Sequence, residues 1–134
     1  MIKKRQEIKT KNIDPSKIII KNYNYPIFCF KHLHKDYHLD KCISQEKQSF
    51  IEQIIYISQF SWQTLQSSPR HGIGCEKINI NSLKSELPNS IKFTEDINHL
   101  LAFRFYNKMP FIGYRNGFIF HVIFIDREFK LYKH

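Results

Sequence analysis

The sequence lacks the features that mark several common protein classes. Its three cysteines are an odd number without a Cys-x-x-Cys pair, a pattern typical of reduced thiols in a cytoplasmic protein. Its four glycines include Gly72 and Gly74, but no Gly-Lys-Ser/Thr phosphate loop accompanies them. No apolar run approaches the ~20 residues of a membrane span, and the charged start of the chain lacks a signal-peptide core. These absences predict a soluble cytoplasmic protein without membrane association.

Aromatic and apolar residues are abundant, which argues against disorder for most of the chain. Aromatic residues make up 15% of the sequence and hydrophobic residues 42%, whereas disordered chains are poor in both. The apolar residues are mostly isoleucine and phenylalanine, which favour half-buried sheet surfaces. The length of 134 residues is that of one domain. We therefore expect a single sheet-containing domain over residues 18–134.

Positive charge is in excess and is concentrated towards the two ends of the chain. The formal net charge is +9, from 21 Lys and Arg against 12 Asp and Glu. Residues 1–22 carry seven positive and two negative charges, and residues 100–134 carry six and two. Such a field attracts polyanions, so the excess favours a nucleic-acid partner. The simpler explanation is solubility, with residues 1–17 forming a solvated basic arm.

Two adjacent segments carry helix patterns. Ser44 can cap a helix over residues 45–57, in which apolar residues follow at helical spacing. Ser61 can cap a shorter helix over residues 61–67, and the proline after Ser68 ends it. A helix with an apolar side must bury that side, so the longer helix is expected to pack on a sheet.

The C-terminal half carries the strongest strand pattern. Four segments rich in aromatic and β-branched residues are separated by turn residues: 100–106, 109–115, 118–125 and 129–132. Asn116-Gly117 is the clearest hairpin turn, and further strands are indicated at 18–20, 27–33 and 75–80. The predicted fold is therefore α+β, with an antiparallel β-meander of four or more strands packed against the main helix and the short helix.

Two-residue loops at Asn107-Lys108 and Asn116-Gly117 would fix which side chains share a face of the meander. One face is then almost wholly apolar and is expected to receive the helix: Leu101, Phe103, Phe105, Ile112, Tyr114, Ile119, His121, Ile123 and Ile125. The other face is mixed: Leu100, Ala102, Arg104, Tyr106, Phe111, Gly113, Arg115, Phe118 and Phe120. A one-residue shift at the first loop would move Arg104 to the opposite face.

The mixed face, with two arginines beside aromatic rings, is the candidate site. Arginine binds phosphate and an aromatic ring stacks on a base, so the pattern is typical of a nucleic-acid groove. Cleavage of RNA without a metal needs an acid, a base and cations. The predicted catalytic residues are His71 as acid or base, Arg104 and Arg115 as phosphate clamps, and Tyr132 in support. The predicted nucleic-acid-binding residues are Lys77, Phe118, Phe120 and Lys130.

Simpler explanations exist for these residues. Both arginines could extend to solvent or pair with local acids such as Glu95 or Asp96. His121 falls on the apolar face and is expected to be a core histidine. Cys75 lies near His71 in the sequence, but a Cys–His nucleophile needs a third, orienting group that the sequence does not indicate.

A run of potential metal ligands lies near the start of the predicted domain: His32, His34, His38, Asp40 and Cys42. Their spacing matches no standard zinc module, and three lysines crowd the same stretch. A solvated polar turn is the expected structure, so neither a metal nor another cofactor is predicted.

Several segments between residues 70 and 134 resemble a group of small bacterial proteins of unassigned function. The segments are Arg70–Ile78, Leu101–Phe105, Pro110–Arg115, Phe120–Asp126 and Leu131-Tyr132, and the resemblance implies no activity. A looser resemblance, in fold and charge, is to RelE-type ribosome-dependent ribonuclease toxins, in which a helix precedes an antiparallel meander with basic residues on one face. Arg104, Arg115, Tyr132 and Lys133-His134 fit that pattern, although this chain is longer and has an extra N-terminal strand region.

The sequence therefore predicts a nucleic-acid-directed protein, with three hypotheses for its action. The first is a metal-independent endoribonuclease of the bacterial toxin type, acting on RNA or at the ribosome and paired with a small antitoxin-like protein. The second is a non-catalytic module that binds nucleic acid or a nucleoprotein. The third is a basic protein-interaction partner of the immunity or antitoxin type, suited to an acidic protein.

Overall fold

The computed structural model describes residues 24–68, 74–91 and 98–133. The predicted basic arm 1–17, the predicted strand 18–20 and His71 lie outside the described residues, as do Glu95, Asp96 and His134. Within the described ranges, no helix is both long enough and apolar enough to cross a membrane. These ranges form an α+β fold in which two α-helices accompany one five-stranded sheet.

The two helices lie where the sequence predicts them. Helix α1 spans Ser44–Ile57 and helix α2 spans Trp62–Ser67. Helix α1 begins one residue earlier than predicted, because Ile43 is its N-cap and the Glu46 carboxylate accepts the Ile43 backbone N–H at 3.0 Å. Ser61 caps α2 as predicted, since its hydroxyl accepts a first-turn backbone N–H at 3.2 Å.

The sheet is mixed rather than purely antiparallel. Its five strands are β1 (Ile27–Cys29), β2 (Glu76–Asn79), β3 (His99–Arg104), β4 (Pro110–Asn116) and β5 (Ile119–Ile125). Their order across the sheet is β1-β5-β4-β3-β2, with β1 parallel to β5 and the other pairs antiparallel. The predicted meander is confirmed for β3 to β5. The prediction of a wholly antiparallel sheet is wrong at β1, which is shorter than predicted and joins the sheet through a long crossover.

The predicted strand 129–132 is wrong. The Asp126 carboxylate accepts two backbone N–H groups of this segment, at 3.1 and 2.9 Å, which bends the chain after β5. Phe129 has φ of 56°, which is incompatible with an extended strand. Leu131 and Tyr132 are consequently buried against the sheet instead of extending it.

The register between β3 and β4 differs by one residue from the prediction, and this difference moves Arg104. The connection is a three-residue turn, Tyr106–Lys108, in place of a two-residue loop. Arg104 therefore pairs with Pro110 instead of Phe111. Because successive residues on a strand point to opposite faces, the shift exchanges the faces of β3 relative to β4. The prediction that Arg104 and Arg115 share a face is therefore wrong.

The β4–β5 hairpin also differs from the prediction, with a smaller consequence. Its loop is Gly117-Phe118 rather than Asn116-Gly117, a register shift of two residues that keeps each nearby side chain on its predicted face. The register changes again beside Gly113, at a bulge. A β-carbon at Gly113 would lie 2.1 Å from the carbonyl oxygen of His121, so the close approach of the two strands requires glycine.

Both faces of the sheet are covered. The helix face is the side that packs against α1 and α2, and its buried residues are Leu101, Phe103, Phe111, Phe120, Val122 and Ile125. The loop face is the opposite side, and its buried residues are Ile78, Leu100, Ala102, Ile112, Ile123 and Phe124. Tyr37, Leu131 and Tyr132 pack over the loop face. The sheet is thus a central layer between two covers.

The predicted composition of the two faces is correct for β3 and wrong for much of β4 and β5. Leu101 and Phe103 contact the helices as predicted. The pairing places five residues predicted to contact the helix on the loop face: Ile112, Tyr114, Ile119, His121 and Ile123. Conversely, Phe111 and Phe120, predicted for the mixed face, lie in the core beneath the helices.

Candidate functional site

The two arginines of the predicted site lie on opposite faces of the sheet, and both are engaged by neighbouring groups. Arg104 is on the loop face, where its Nη2 lies 2.9 Å from the Glu76 Oε2 on the adjacent strand. Its Nη1 donates to the backbone carbonyl of Lys108 at 3.0 Å. Arg104 therefore holds the turn after β3 and the β2–β3 pair together.

Arg115 is on the helix face, held beneath α2. Its guanidinium lies 4.4 Å from the centroid of the Trp62 ring, in a cation–π contact. Its Nε donates to the Gly117 carbonyl at 2.7 Å, and its Nη1 donates to the Gln66 side-chain oxygen. Burial lowers the pKa of Arg115 from its ordinary value. These contacts connect α2 to the β4–β5 hairpin, which is a structural role.

The aromatic residues of the predicted site are not available to stack on bases. Phe120 is fully buried, Tyr132 is 4% exposed, and Phe118 is half-buried against the helix-face core. Lys77 is exposed on the edge strand β2 and pairs with Leu101, so it projects on the helix-face side. Of the residues predicted as site members, only Lys130 lies in the cleft that the described residues form near the end of β5.

This cleft, termed the lysine cleft, has a volume of about 570 Å³. It lies between the turn before α1, the loop after β2 and the bend after β5. Four basic side chains from these three segments line it: Lys41, Lys84, Arg127 and Lys130. The other lining residues are Asp36, Tyr37, Ser85, Ile125, Asp126 and Glu128. The charges come from distant parts of the chain, so sequence spacing gave no indication of the cleft.

Two of the three acidic residues that line the cleft, Asp126 and Glu128, are engaged by other groups, whereas Asp36 is exposed. The buried Asp126 carboxylate accepts backbone N–H groups, and Arg127 forms a two-bond ion pair with Glu46 at 2.8 and 3.0 Å. Hydrogen bonds from Arg127 hold the pKa of Glu46 below its ordinary value. Among the described residues, neither Lys41 nor Lys84 has an ion-pair partner. The cleft therefore presents lysine ammonium groups that a ligand can neutralise.

Lys130 has weaker partners than Arg127. Its Nζ lies 3.5 Å from the Glu128 Oε1, and both side chains are more than half exposed. The same Nζ lies 5.7 Å from the centroid of the Tyr37 ring, a cation–π contact. An exposed pair of this kind contributes little to stability and is readily exchanged for a ligand anion.

Ser85 adds a hydroxyl donor to the cleft. The His34 Nδ1 accepts the Asp36 backbone N–H at 3.0 Å, so a neutral His34 carries its proton on Nε2. That Nε2 lies 3.3 Å from the Ser85 Oγ and donates to it. The Ser85 hydroxyl proton is then left to donate to a ligand. In this arrangement His34 cannot remove the proton of Ser85, which argues against a serine nucleophile here.

The histidines and the cysteine of the predicted polar turn are dispersed. His34 stacks on the Phe124 ring at 5.4 Å, and His38 lies 3.4 Å from the Asp40 carboxylate. Cys42 is buried in the helix-face core, where burial raises the pKa of its thiol. No group of three potential metal ligands occurs within the described ranges.

His32 and His121 form a second cluster, on the loop face beside β1. Their ring centroids are 5.4 Å apart, and the Tyr114 ring stacks on His121 at 6.1 Å with an interplanar angle of 14°. The His32 Nδ1 lies 2.8 Å from the Ser90 Oγ. Burial, then the neighbouring His32, lowers the pKa of His121, and burial, then Lys31, lowers the pKa of His32.

The buried ring nitrogen of His121 distinguishes it from an ordinary core histidine. Its Nδ1 is buried and has no hydrogen-bond partner among the described residues. A core histidine normally has its polar atoms satisfied. The prediction that His121 packs under the helix is wrong, because the β4–β5 register places it on the loop face.

No family model, curated protein sequence or solved structure matches the chain at a significant level.

Proposed function

We propose that this protein binds nucleic acid through the phosphate backbone, with the lysine cleft as the principal contact. The observation that carries the proposal is the convergence of Lys41, Lys84 and Lys130 on one cleft. The first two of these have no ion-pair partner within the described ranges, and the third has a weak one. A phosphate group neutralises such ammonium groups and accepts a hydrogen bond from the Ser85 hydroxyl.

The distribution of charge over the surface supports the same proposal. Nine of the described lysines are exposed, against five exposed Asp and Glu residues. The acids that are not exposed are engaged by arginines or by backbone N–H groups. The net positive charge of the described residues therefore lies at the surface, on flexible side chains. Lysine acts as a point charge, so this arrangement favours binding to the backbone without base recognition.

Among the three hypotheses, these features favour binding of nucleic acid over the arginine clamp of the toxin-type ribonuclease. The toxin-type ribonuclease hypothesis depended on Arg104 and Arg115 acting together on one phosphate. With the two guanidinium groups on opposite faces of the sheet, that clamp loses its geometric basis. Cleavage of RNA would therefore require residues other than these two arginines.

The salt dependence of binding tests the proposal. A fluorescently labelled single-stranded oligonucleotide is titrated with protein between about 50 and 200 mM salt, and the anisotropy gives the affinity. Each phosphate contact contributes about −0.7 to the slope of log affinity against log salt on single strands. A Lys41→Gln, Lys84→Gln double variant should therefore reduce the magnitude of the slope by about 1.4.

A matched control removes two exposed lysines outside the cleft. The Lys47→Gln, Lys77→Gln double variant has the same net charge as the cleft variant. Lys77 is the lysine outside the cleft that the sequence predicted to bind nucleic acid. We expect the control to retain most of the wild-type slope. Equal losses in the two variants, or wild-type affinity that does not change with salt, would overturn the assignment to the cleft.

A second candidate, the protein-interaction partner, is favoured by the exposed side of α1. Ile51 and Ile55 are 48% and 58% exposed and lie one helical turn apart. With a net charge of +9, the chain would suit an acidic partner protein. This candidate predicts no affinity for the oligonucleotide at low salt. It also predicts that an acidic protein co-purifies with the wild type and is lost from an Ile51→Glu, Ile55→Glu variant.

A further inference from the structure

We infer that His32 and His121 form an acid–base site that cleaves RNA bound through the lysine cleft. The inference rests on the proposed function, because the cleft supplies the phosphate contacts that the histidines lack. It assigns catalysis to residues that the sequence pattern placed elsewhere, one in a polar turn and one in the core.

The position of the pair relative to the cleft carries the first part of the argument. His121 lies on the loop face of β5, and the cleft residue Tyr37 packs over the same face, with its ring centroid 5.3 Å from that of Phe124. His32 and His34 precede the cleft residues on the segment that covers this part of the sheet. The His34 backbone N–H donates to the Ile123 carbonyl oxygen at 2.7 Å, and this hydrogen bond holds the segment against β5. One strand of nucleic acid can therefore contact both places on the same side of the molecule.

Side chains also connect the two segments that border the site. The Ser85 and Ser90 hydroxyls lie 3.3 and 2.8 Å from His34 and His32, respectively. The two hydrogen bonds hold the stretch 32–34 alongside the stretch 85–90. His32 is therefore positioned by a partner other than its own backbone, which is a requirement for a catalytic acid or base.

The surroundings of the two rings suit different roles. The His121 Nδ1 is buried, so only its Nε2 could take a proton from a substrate. His121 is the more enclosed of the two rings, and burial lowers its pKa and favours its neutral form, so His121 is assigned as the base. His32 is less enclosed, and in its protonated form the Nδ1–H donates to the Ser90 Oγ. His32 is therefore assigned as the acid. The stacked Tyr114 ring keeps His121 in place.

The reaction balances without a metal or a second substrate. His121 takes the proton of a ribose 2′-hydroxyl, and the 2′-oxygen forms a bond to the adjacent phosphorus. The bond from phosphorus to the 5′-oxygen breaks, and that oxygen takes a proton from the His32 imidazolium. The products are a 2′,3′-cyclic phosphate and a 5′-hydroxyl, and both imidazoles have exchanged their protonation states.

The charges near the pair give an expected pH profile. The charge of Lys31 lowers the pKa of His32, and the charge of His32 lowers the pKa of His121. Burial and these neighbours hold the pKa of each imidazole below the ordinary 6.5. One neutral and one protonated ring then coexist only in mildly acidic solution. Cleavage should therefore be fastest below pH 6.5 and decline on both sides of its maximum.

The test uses a labelled DNA strand that contains a single ribonucleotide, with an all-DNA strand of the same sequence as the binding probe. Both are incubated with the purified full chain in the presence of a chelator, between pH 5 and pH 8. The expected result is cleavage at the ribonucleotide alone, leaving a cyclic phosphate. His32→Ala and His121→Gln should each slow cleavage by at least about a hundredfold, with affinity for the all-DNA strand unchanged.

Controls separate the possible failures. His99→Ala, at an exposed histidine on β3, should cleave at the wild-type rate. A contaminating nuclease would instead cleave at the same rate in the wild type and in all three histidine variants. If His121→Gln unfolds, His32→Ala still tests the pair, because His32 is not in the core. Tight binding without cleavage, or cleavage that persists in both histidine variants, overturns this inference and leaves the proposed function intact. Absence of binding to the all-DNA strand overturns both.

Discussion

Replacement of Arg115 by alanine distinguishes a structural arginine from one that binds a ligand. The guanidinium contacts the Trp62 ring at 4.4 Å and donates hydrogen bonds to Gly117 and Gln66. A partly desolvated cation–π contact contributes about 1 kcal/mol, and each hydrogen bond about 1 kcal/mol. The Arg115→Ala variant should therefore lose about 3 kcal/mol of unfolding free energy, while its affinity for nucleic acid stays near the wild-type value.

The assay uses the fluorescence of Trp62, the only tryptophan in the chain. Urea titration followed by this fluorescence gives the unfolding free energy, and the same samples are used for oligonucleotide binding. Thermal unfolding should shift down by roughly 10 °C, at roughly 3–4 °C per kcal/mol for a domain of this size. Arg115→Lys should recover little of the loss, because lysine cannot reproduce the planar guanidinium contacts. Wild-type stability together with lost nucleic-acid binding would refute the structural role.

Three further predictions follow from individual contacts. Glu46→Gln should lower the unfolding free energy at pH 7 by weakening the pair with Arg127. Because the pKa of Glu46 is depressed below 4.5, its contribution is present above pH 4.5 and is lost as the pH falls through the depressed pKa, so urea titrations should show a smaller difference between wild type and variant at pH 3 than at pH 7. Gly113→Ala should cost about 3 kcal/mol, measured in the same way, because a β-carbon there meets the His121 carbonyl. Burial raises the pKa of Cys75 to about 12, so at pH 8 its thiol should react with iodoacetamide at least about a hundredfold more slowly in the folded protein than in urea.

The helices and the central hairpins could be predicted because their determinants are local. The apolar spacing over 45–57 and the cap at Ser61 specify the helices without reference to the rest of the chain. The same is true of β3, β4 and β5, which alternate with turn residues. Such segments depend on periodicity and turn chemistry, which a single sequence contains.

The register after β3 could not be predicted, because it depends on one turn residue. Asn107 and Lys108 both have positive φ, which fits a two-residue loop, but Tyr106 also belongs to the turn. That additional residue reverses the face of every β3 side chain relative to β4. The predicted arginine site failed at this point, since Arg104 moved away from Arg115.

The parallel strand β1 and the bend after β5 depend on contacts between distant residues. The pairing of Ile27 with Ile119 joins residues that are far apart in the sequence, and no local sequence pattern indicates it. The bend depends on the Asp126 carboxylate, whose sequence context also fits an ordinary hairpin turn. The lysine cleft has the same origin, because Lys41 and Lys84 converge only after the sheet has formed.

The most direct test of the account is the reactivity of individual lysines with and without bound nucleic acid. Brief acetylation followed by mass spectrometry measures the modification rate at each position. Binding in the lysine cleft predicts that Lys41, Lys84 and Lys130 become protected in the complex, while Lys47 and Lys77 react as in the free protein. Protection of Lys47 and Lys77, with the three cleft lysines reacting at their free rates, would contradict it.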